Sequence, residues 1–234
     1  MSALSLTELD TVGSTNDHAK EMARTGAAAA HVVLARVQTA GRGRQGRSWT
    51  SLPGNLHMSV ILRPRLMPRD LGQLSFAAAV ALAETVEPLL APSCHLALKW
   101  PNDLLINDKK AAGILIEVEG GFAIVGLGLN LVHAPADAIS LQSLGVVSPA
   151  PRILAGDIAQ RLLAHAQALD NGSFARIRDA WLKRAWRLNQ MISARISSEN
   201  VQGIFLGIDQ SGALQLQTGE GVIISVSSAE ILAS

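Results

Sequence analysis

The chain has 234 residues, 48% of them hydrophobic and 17% charged, with a formal net charge of +1. That length can bury a sizeable core, and the apolar content excludes a disordered chain. The near-neutral charge excludes the broad basic surface typical of nucleic-acid-binding domains, so any affinity for anions must come from local clusters.

The first residues form a short apolar entry without a basic stretch followed by an apolar run, so no export signal is predicted. Gly13-Ser14-Thr15-Asn16-Asp17 then offers several capping side chains ahead of a short helix through Arg24, with Gly26 as its stop. Taken locally, Ser14, Thr15 and Asn16 read as caps that require no ligand. His31 to Val37 reads as a strand and runs into Gln38-Thr39-Ala40-Gly41-Arg42-Gly43-Arg44-Gln45-Gly46-Arg47-Ser48-Trp49-Thr50-Ser51. Glycine there permits close backbone approach, and arginine offers a planar fork that fits carboxylate or phosphate, which makes the loop a candidate anion clamp.

Leu56 to Leu62 reads as a second strand after the Pro53-Gly54-Asn55 turn, and its His57 has no ligand-type neighbour and receives no role. Asp70 to Leu90 is the most apolar long segment, but Gln73, Ser75, Glu84, Thr85, Glu87 and Pro88 interrupt it, which predicts a packing helix and no membrane span. Cys94 to Lys99 reads as a strand; the lone Cys94 cannot form an internal disulfide, in keeping with an expected cytoplasmic location. Leu104 to Ile106 and Ala111 to Val118 read as a hairpin around Asn107-Asp108-Lys109. Lys110 at the start of the second arm fits a solvated edge-strand charge. Against that stands Trp100-Pro101-Asn102-Asp103 just upstream, a costly turn if structure were its only purpose.

Phe122 to Leu131 reads as a further strand whose Gly126 and Gly128 bare one face of the sheet, either for a flat ligand or for a close helix crossing. Helices are expected from Ile153 to Leu169 and from Ser173 to about Arg187, the latter burying Phe174, Ile177 and Trp181. Met191 to Ile196, Val201 to Ile208, Ala213 to Gln217 and Val222 to Val226 are short β runs that read as a small barrel. The predicted class is α+β, with a mixed-sheet catalytic domain packed by helices over 1–187 and a small β-barrel over 188–234.

Gly41 to Gly46 fits the dinucleotide pattern G-x-G-x-x-G after a strand, but Pro53-Gly54-Asn55 follows where a helix should hold the pyrophosphate, and no acidic residue ends a second strand. A single-stranded RNA reading with Trp49 as a stacking base is weak, because only 3% of residues are aromatic.

Together, Ser14-Thr15-Asn16, the Gly41 to Trp49 loop, Lys99-Trp100-Pro101-Asn102-Asp103, Lys110 to Glu117 and Gly126-Leu127-Gly128-Leu129-Asn130 resemble the biotin protein ligases over nearly the whole chain. The resemblance implies an SH3-like C-terminal barrel and two half-reactions. Biotin and ATP with Mg²⁺ give biotinyl-5′-AMP and pyrophosphate, and a lysine of a biotin carboxyl carrier domain then takes the biotinyl group. It implies Arg44, Lys110 and Asp103 as catalytic residues. It further implies Ser14, Thr15, Asn16, Gln38, Gly41, Arg42, Gly43, Arg44, Lys110, Gly113, Gly126 and Gly128 around biotin, reversing the local reading of Ser14 to Asn16 as caps. Arg42, Arg44, Arg47, Trp49, Asn102, Lys110 and Asn130 would meet the nucleotide, with its Mg²⁺ near Asn102 and Asp103. Ser14 comes so early that the helix-turn-helix of some family members finds no room, which implies an enzyme only, monomeric or homodimeric, without nucleic acid or membrane. A lipoate ligase or transferase of the same fold is the nearest alternative, and a biotin-responsive binding protein the non-enzymatic one.

Overall fold

A parallel strand pair opens the main sheet of the computed structural model, which describes residues 4–196, 199–219 and 221–232. Residues 1–3 and 233–234, the outer ends of the two predicted domains, lie outside the described residues. β1 (Ser5–Val12) runs parallel to β2 (His31–Gln38), and α1 (Thr15–Arg24) makes the crossover that a parallel pair requires. β3 (Leu56–Leu62), β4 (Leu96–Lys99), β5 (Asp103–Ile106), β6 (Lys109–Glu119) and β7 (Phe122–Leu129) extend the sheet antiparallel, giving seven strands in the order β1-β2-β3-β7-β6-β5-β4. Every residue of β3 and β7 is buried, because these central strands are covered on both faces.

Alternate residues divide the strands between two layers. Val33, Ile61, Phe122 and Ile124 pack against Ala19 and Ala23 of α1. Val32, Leu34, Met58 and Val60 join the larger core formed with α2 (Gln73–Val86) and α3 (Pro151–Asp170). α2 is rich in alanine and buried almost all round, so the sheet, α3 and α4 (Phe174–Leu182) all close on it. It is shorter than Asp70 to Leu90, since 3₁₀ turns at Pro68–Asp70 and Glu87–Leu89 take its ends. α4 buries Phe174, Ile177 and Trp181 as expected but stops at Leu182. No helix among the described residues is long and apolar enough to cross a membrane.

The C-terminal unit is an antiparallel sheet of β8 (Met191–Ile196), β9 (Glu199–Ile208), β10 (Leu214–Gln217), β11 (Ile223–Val226) and β12 (Glu230–Leu232), in the order β11-β10-β9-β8-β12. The expectation of a barrel is met by an open sheet: β11 and β12 form its edges, and among the described residues they do not pair, the three-residue β12 bonding to β8 alone. Edge-to-face aromatic pairs join the two units. Phe76 meets Phe174 at 5.8 Å and Trp181 at 5.4 Å, and Trp181 meets Phe205 of β9 at 6.4 Å. The buried Trp100 indole donates to the Gly212 carbonyl at 3.0 Å.

Candidate active site

Three glycines make a floor. Gly128 of β7 lies across from Gly113 of β6, and Gly126 follows two positions back on the same face. The missing side chains are replaced by groups from elsewhere: a Cβ on Gly126 would stand 2.9 Å from Asn16 Cγ, and one on Gly128 would stand 2.6 Å from Trp49 Nε1. Trp49 thus lies across the sheet, with its Nε1–H buried and unpaired.

The α1 end of the site is not held by its own caps. Ser14 is the N-cap residue, yet its side chain makes no capping bond. The Thr15 N–H instead donates to Gln38 Oε1 at 2.8 Å, and Thr15 Oγ1 donates to the same oxygen at 3.0 Å. Gln38 Nε2 donates to Ser51 Oγ at 2.9 Å. Asn16 is fixed at both ends, its Oδ1 accepting from Ser59 Oγ at 2.6 Å and its Nδ2 donating to Glu117 Oε2 at 2.6 Å. The local reading of these residues as caps is therefore corrected: Gln38 of β2 accepts from the first turn of the helix, and the side chains of Thr15 and Asn16 are bonded to other elements in the cavity wall.

The arginine loop folds back on itself. Gly43 N–H donates to the Arg47 carbonyl at 2.7 Å and Trp49 N–H to the Gly41 carbonyl at 2.9 Å. Gly46 turns the chain at φ 73°, a region that favours glycine. Arg42 forks onto both oxygens of Asp17 at 2.6 Å, and Arg47 reaches Glu230 of β12 at 2.8 Å. Arg44 alone of the three turns to the far wall, its Nη1 lying 3.4 Å from Asn102 Oδ1. Burial lowers the Arg44 pKa, opposed by the Asp103 charge. Asn102 is held by its Nδ2 donating to the Ile114 carbonyl at 2.7 Å.

Lys110 enters the site through a β-bulge. Leu104 pairs with Ala112 but Leu105 pairs with Lys110, so Ala111 has no partner on β5. An extra residue reverses the facing of whatever precedes it. The Lys110 ammonium reaches Asp103 Oδ1 at 2.7 Å, an ion pair rather than an aligned hydrogen bond, and sits 5.7 Å from the Trp49 ring centre. Lys99 stands across the β4–β5 pair from Asp103, its ammonium 5.0 Å from the Trp186 ring, and burial lowers its pKa.

A cavity of about 130 Å³ gathers these groups. The predicted site residues line it except Gly41, Asp103 and Asn130. Gly41 packs beneath the loop, where a Cβ would meet the Trp49 carbonyl at 2.7 Å. Asp103 adjoins through Lys110, and Asn130 supports the Lys110 backbone, its Nδ2 3.5 Å from that carbonyl. Among the described residues no group of three or more His, Cys, Asp or Glu could hold a metal ion, and the oxygens of Asn102 and Asp103 nearest the site already face cations. The sequence assigns no site role to Ser59, Ser51, Asp17, Lys20 or Glu117, although Ser51 and Asp17 stand in the loop and the capping run. Ser59 carried a signal, as the one hydroxyl in the buried strand Leu56–Leu62.

The pocket is glycine-floored, with amide and hydroxyl groups from Thr15, Asn16 and Gln38 and the cationic side chains of Arg44 and Lys110 in its lining, an arrangement suited to an enzyme acting on an anionic ligand. The chain belongs to the biotin/lipoate A/B protein ligase family, whose model matches residues 9–130, and the biotin protein ligase C terminal domain matches residues 188–232. A biotin–[acetyl-CoA-carboxylase] ligase of Paracoccus denitrificans is 42% identical over 89% of this chain and 92% of its own length. One from Mycobacterium tuberculosis is 36% identical over 96% and 88%. The structure of a biotin protein ligase from Aquifex aeolicus in complex with biotin and ATP superposes with a TM-score of 0.86, at 26% identity over 98% of this chain and 99% of that one.

Proposed function

We propose that this protein activates biotin with ATP and transfers it to a lysine of a biotin carboxyl carrier domain. The observation that carries the reading is the meeting of Arg44 and Lys110 at one end of the glycine floor, with the fixed amide of Asn16 at the other. A cyclic urea presents one acceptor and two donors. Thr15, Asn16 and Gln38 supply complementary groups there, Asn16 keeping one N–H and one lone pair beyond those it already uses.

In the first half-reaction a carboxylate oxygen of biotin attacks the α-phosphorus of ATP and the bond to pyrophosphate breaks. Two anions must approach, so Arg44 and Lys110 offset their repulsion and stabilise the charge of the transition state. Mg²⁺ arrives with the nucleotide as substrate. Asn102 and Asp103 would lie near it, each already facing a cation of the site, Arg44 and Lys110 respectively. In the second half-reaction the acceptor amine attacks the acyl carbon and AMP leaves, and Asp103 takes the amine proton. Trp49 and the closed loop shield the mixed anhydride from water, while Arg42 and Arg47 hold that loop and Asn130 supports Lys110 from behind.

The same reading assigns residues 1–187 to catalysis and 188–234 to an SH3-like unit, supported by the separate family match beginning at residue 188 and by five antiparallel strands with a bulge between β9 and β10. It places the protein in the cytoplasm as a monomer or homodimer, and the net charge of +1 supports action without nucleic acid. Biotin-dependent exchange of labelled pyrophosphate into ATP, followed by transfer to a carrier domain, tests the proposal. Exchange with lipoate and none with biotin would shift it to the lipoate branch of the family, and binding of biotin without exchange would make it a binding protein.

A further inference from the structure

Four charged side chains form a closed alternating ring outside the reacting groups. Arg42 forks onto Asp17 at 2.6 Å and lies 3.6 Å from Glu117; Lys20 lies 2.5 Å from Glu117 and 3.6 Å from Asp17. Two members belong to α1, one to the arginine loop and one to β6, so the ring ties together three elements distant in sequence. Exposed ion pairs usually contribute little. Here Lys20 and Glu117 are only 17% and 25% exposed, and the Arg42–Asp17 pair is bidentate, the geometry in which such networks do count.

Glu117 also belongs to the pocket indirectly. One carboxylate oxygen takes Lys20 and stands near Arg42, and the other accepts from Asn16, whose amide lies on Gly126 at the cavity floor. We infer that Glu117 is a positioning residue, and that the ring around it couples closure of the Gly41 to Trp49 loop to the orientation of the Asn16 amide. When the loop departs, Arg42 leaves the ring, Asp17 and Glu117 are left to share Lys20, and Glu117 settles on that ammonium away from Asp17, loosening Asn16. When a ligand fixes Asn16, Glu117 is held where Arg42 can dock. Ligand recognition at the floor and loop closure are then one event. This rests on the proposed biotin-ligase reading for the identity of the ligand, but the coupling itself does not need it.

The test is limited trypsin digestion after Arg42, Arg44 and Arg47 in the ligand-free protein, comparing wild type with Glu117→Gln and with the half-exposed Asp17→Asn. Both variants should be cut in the loop about fivefold faster or more, as expected for loss of a partly buried ion pair, while helix sites such as Arg161 are cut at the wild-type rate and the melting temperature falls by no more than about 4 °C. The second readout is pyrophosphate exchange. Glu117→Ala should raise KM for biotin about tenfold with KM for ATP within twofold, and Glu117→Gln should raise it less, because the amide oxygen still accepts from Asn16. Unchanged loop cutting in both variants would overturn the ring as a latch. Equal rises in both KM values, or a lowered melting temperature with cutting everywhere, would reduce Glu117 to a structural residue. A wild type that gives no exchange would instead remove the ligase reading and leave the digestion result to decide the latch.

Discussion

Lys110 meets Asp103 because Ala111, the residue beside it, has no partner across the β5–β6 pair. In an unbroken register the lysine would point to the α2 side of the sheet. Lys110→Ala should therefore lower the rate of adenylate formation at least about a hundredfold, the scale for loss of a group that meets developing charge. The lysine side chain is 38% exposed, so the melting temperature should stay close to that of wild type. Pyrophosphate exchange and a thermal melt check this together, and a melt lowered in step with activity would mark Lys110 as structural.

Gly128 carries the Trp49 indole with no room for a methyl group. Gly128→Ala should push the indole off the floor at about 1–3 kcal/mol, the usual range for overpacking. The expected result is a shift in tryptophan emission with weaker ligand binding. Gly172, with nothing within 4 Å of its Cβ position but a φ of 76°, is the contrasting case, where alanine strains the backbone without touching the site.

Arg47 and Glu230 join the loop to β12 across a pair that is 59% and 34% exposed. A double-mutant cycle with Arg47→Ala and Glu230→Ala should give a coupling of about 0.2–1 kcal/mol that fades at high salt. Release of the adenylate in a stopped-flow chase is the measurement, and a coupling indifferent to salt would contradict the ionic account.

His57 lies beneath the loop, with Nδ1 unpaired, and burial lowers its pKa from 6.5 despite a bond to the Leu52 carbonyl. His31 is lowered in the same direction, first by burial and then by His18. Below pH 6.5 the unfolded chain takes up protons that the folded chain refuses. The stability these histidines allow is thus present above that pH and is lost as pH falls from it towards the folded values. Denaturant titrations at pH 7.5 and 5.5 should show this loss, and His57→Gln should flatten it. An equal loss in the variant would place the effect elsewhere.

The site was legible where its residues are expensive. Arginines alternating with glycines, a Trp-Pro-Asn-Asp turn and glycines within an apolar strand have few purely structural uses, and the fold brings the arginines, Asn102 of the turn and the strand glycines to one cavity. What escaped was made of ordinary residues in long-range pairs. Asn16 and Glu117 are 101 positions apart, and Asp17, Lys20 and Glu117 are types that cover any solvated surface. The bulge at Ala111 was hidden because a hairpin pattern fixes the turn, not the register beyond it. β1 and β12 were missed because edge strands need only half an apolar face. α2 and α4 end sooner than their apolar spacing suggests, since that spacing persists through the 3₁₀ turns flanking α2, whereas α3 runs past its expected bounds, from Pro151 to Asp170.

Phe76, Trp181 and Phe205 belong to one continuous hydrophobic cluster that runs from the main sheet into β9 and β10. A chain cut at residue 188 would leave the aromatic edge of Trp181 and the α2 end of the interior open to water. The division between the two units is thus one of connectivity, and the insulation of the catalytic half is supplied by its neighbour. A truncated protein should aggregate or melt early, and restoring activity would take the missing half supplied in trans, as a packing surface, before any of its charged groups could matter.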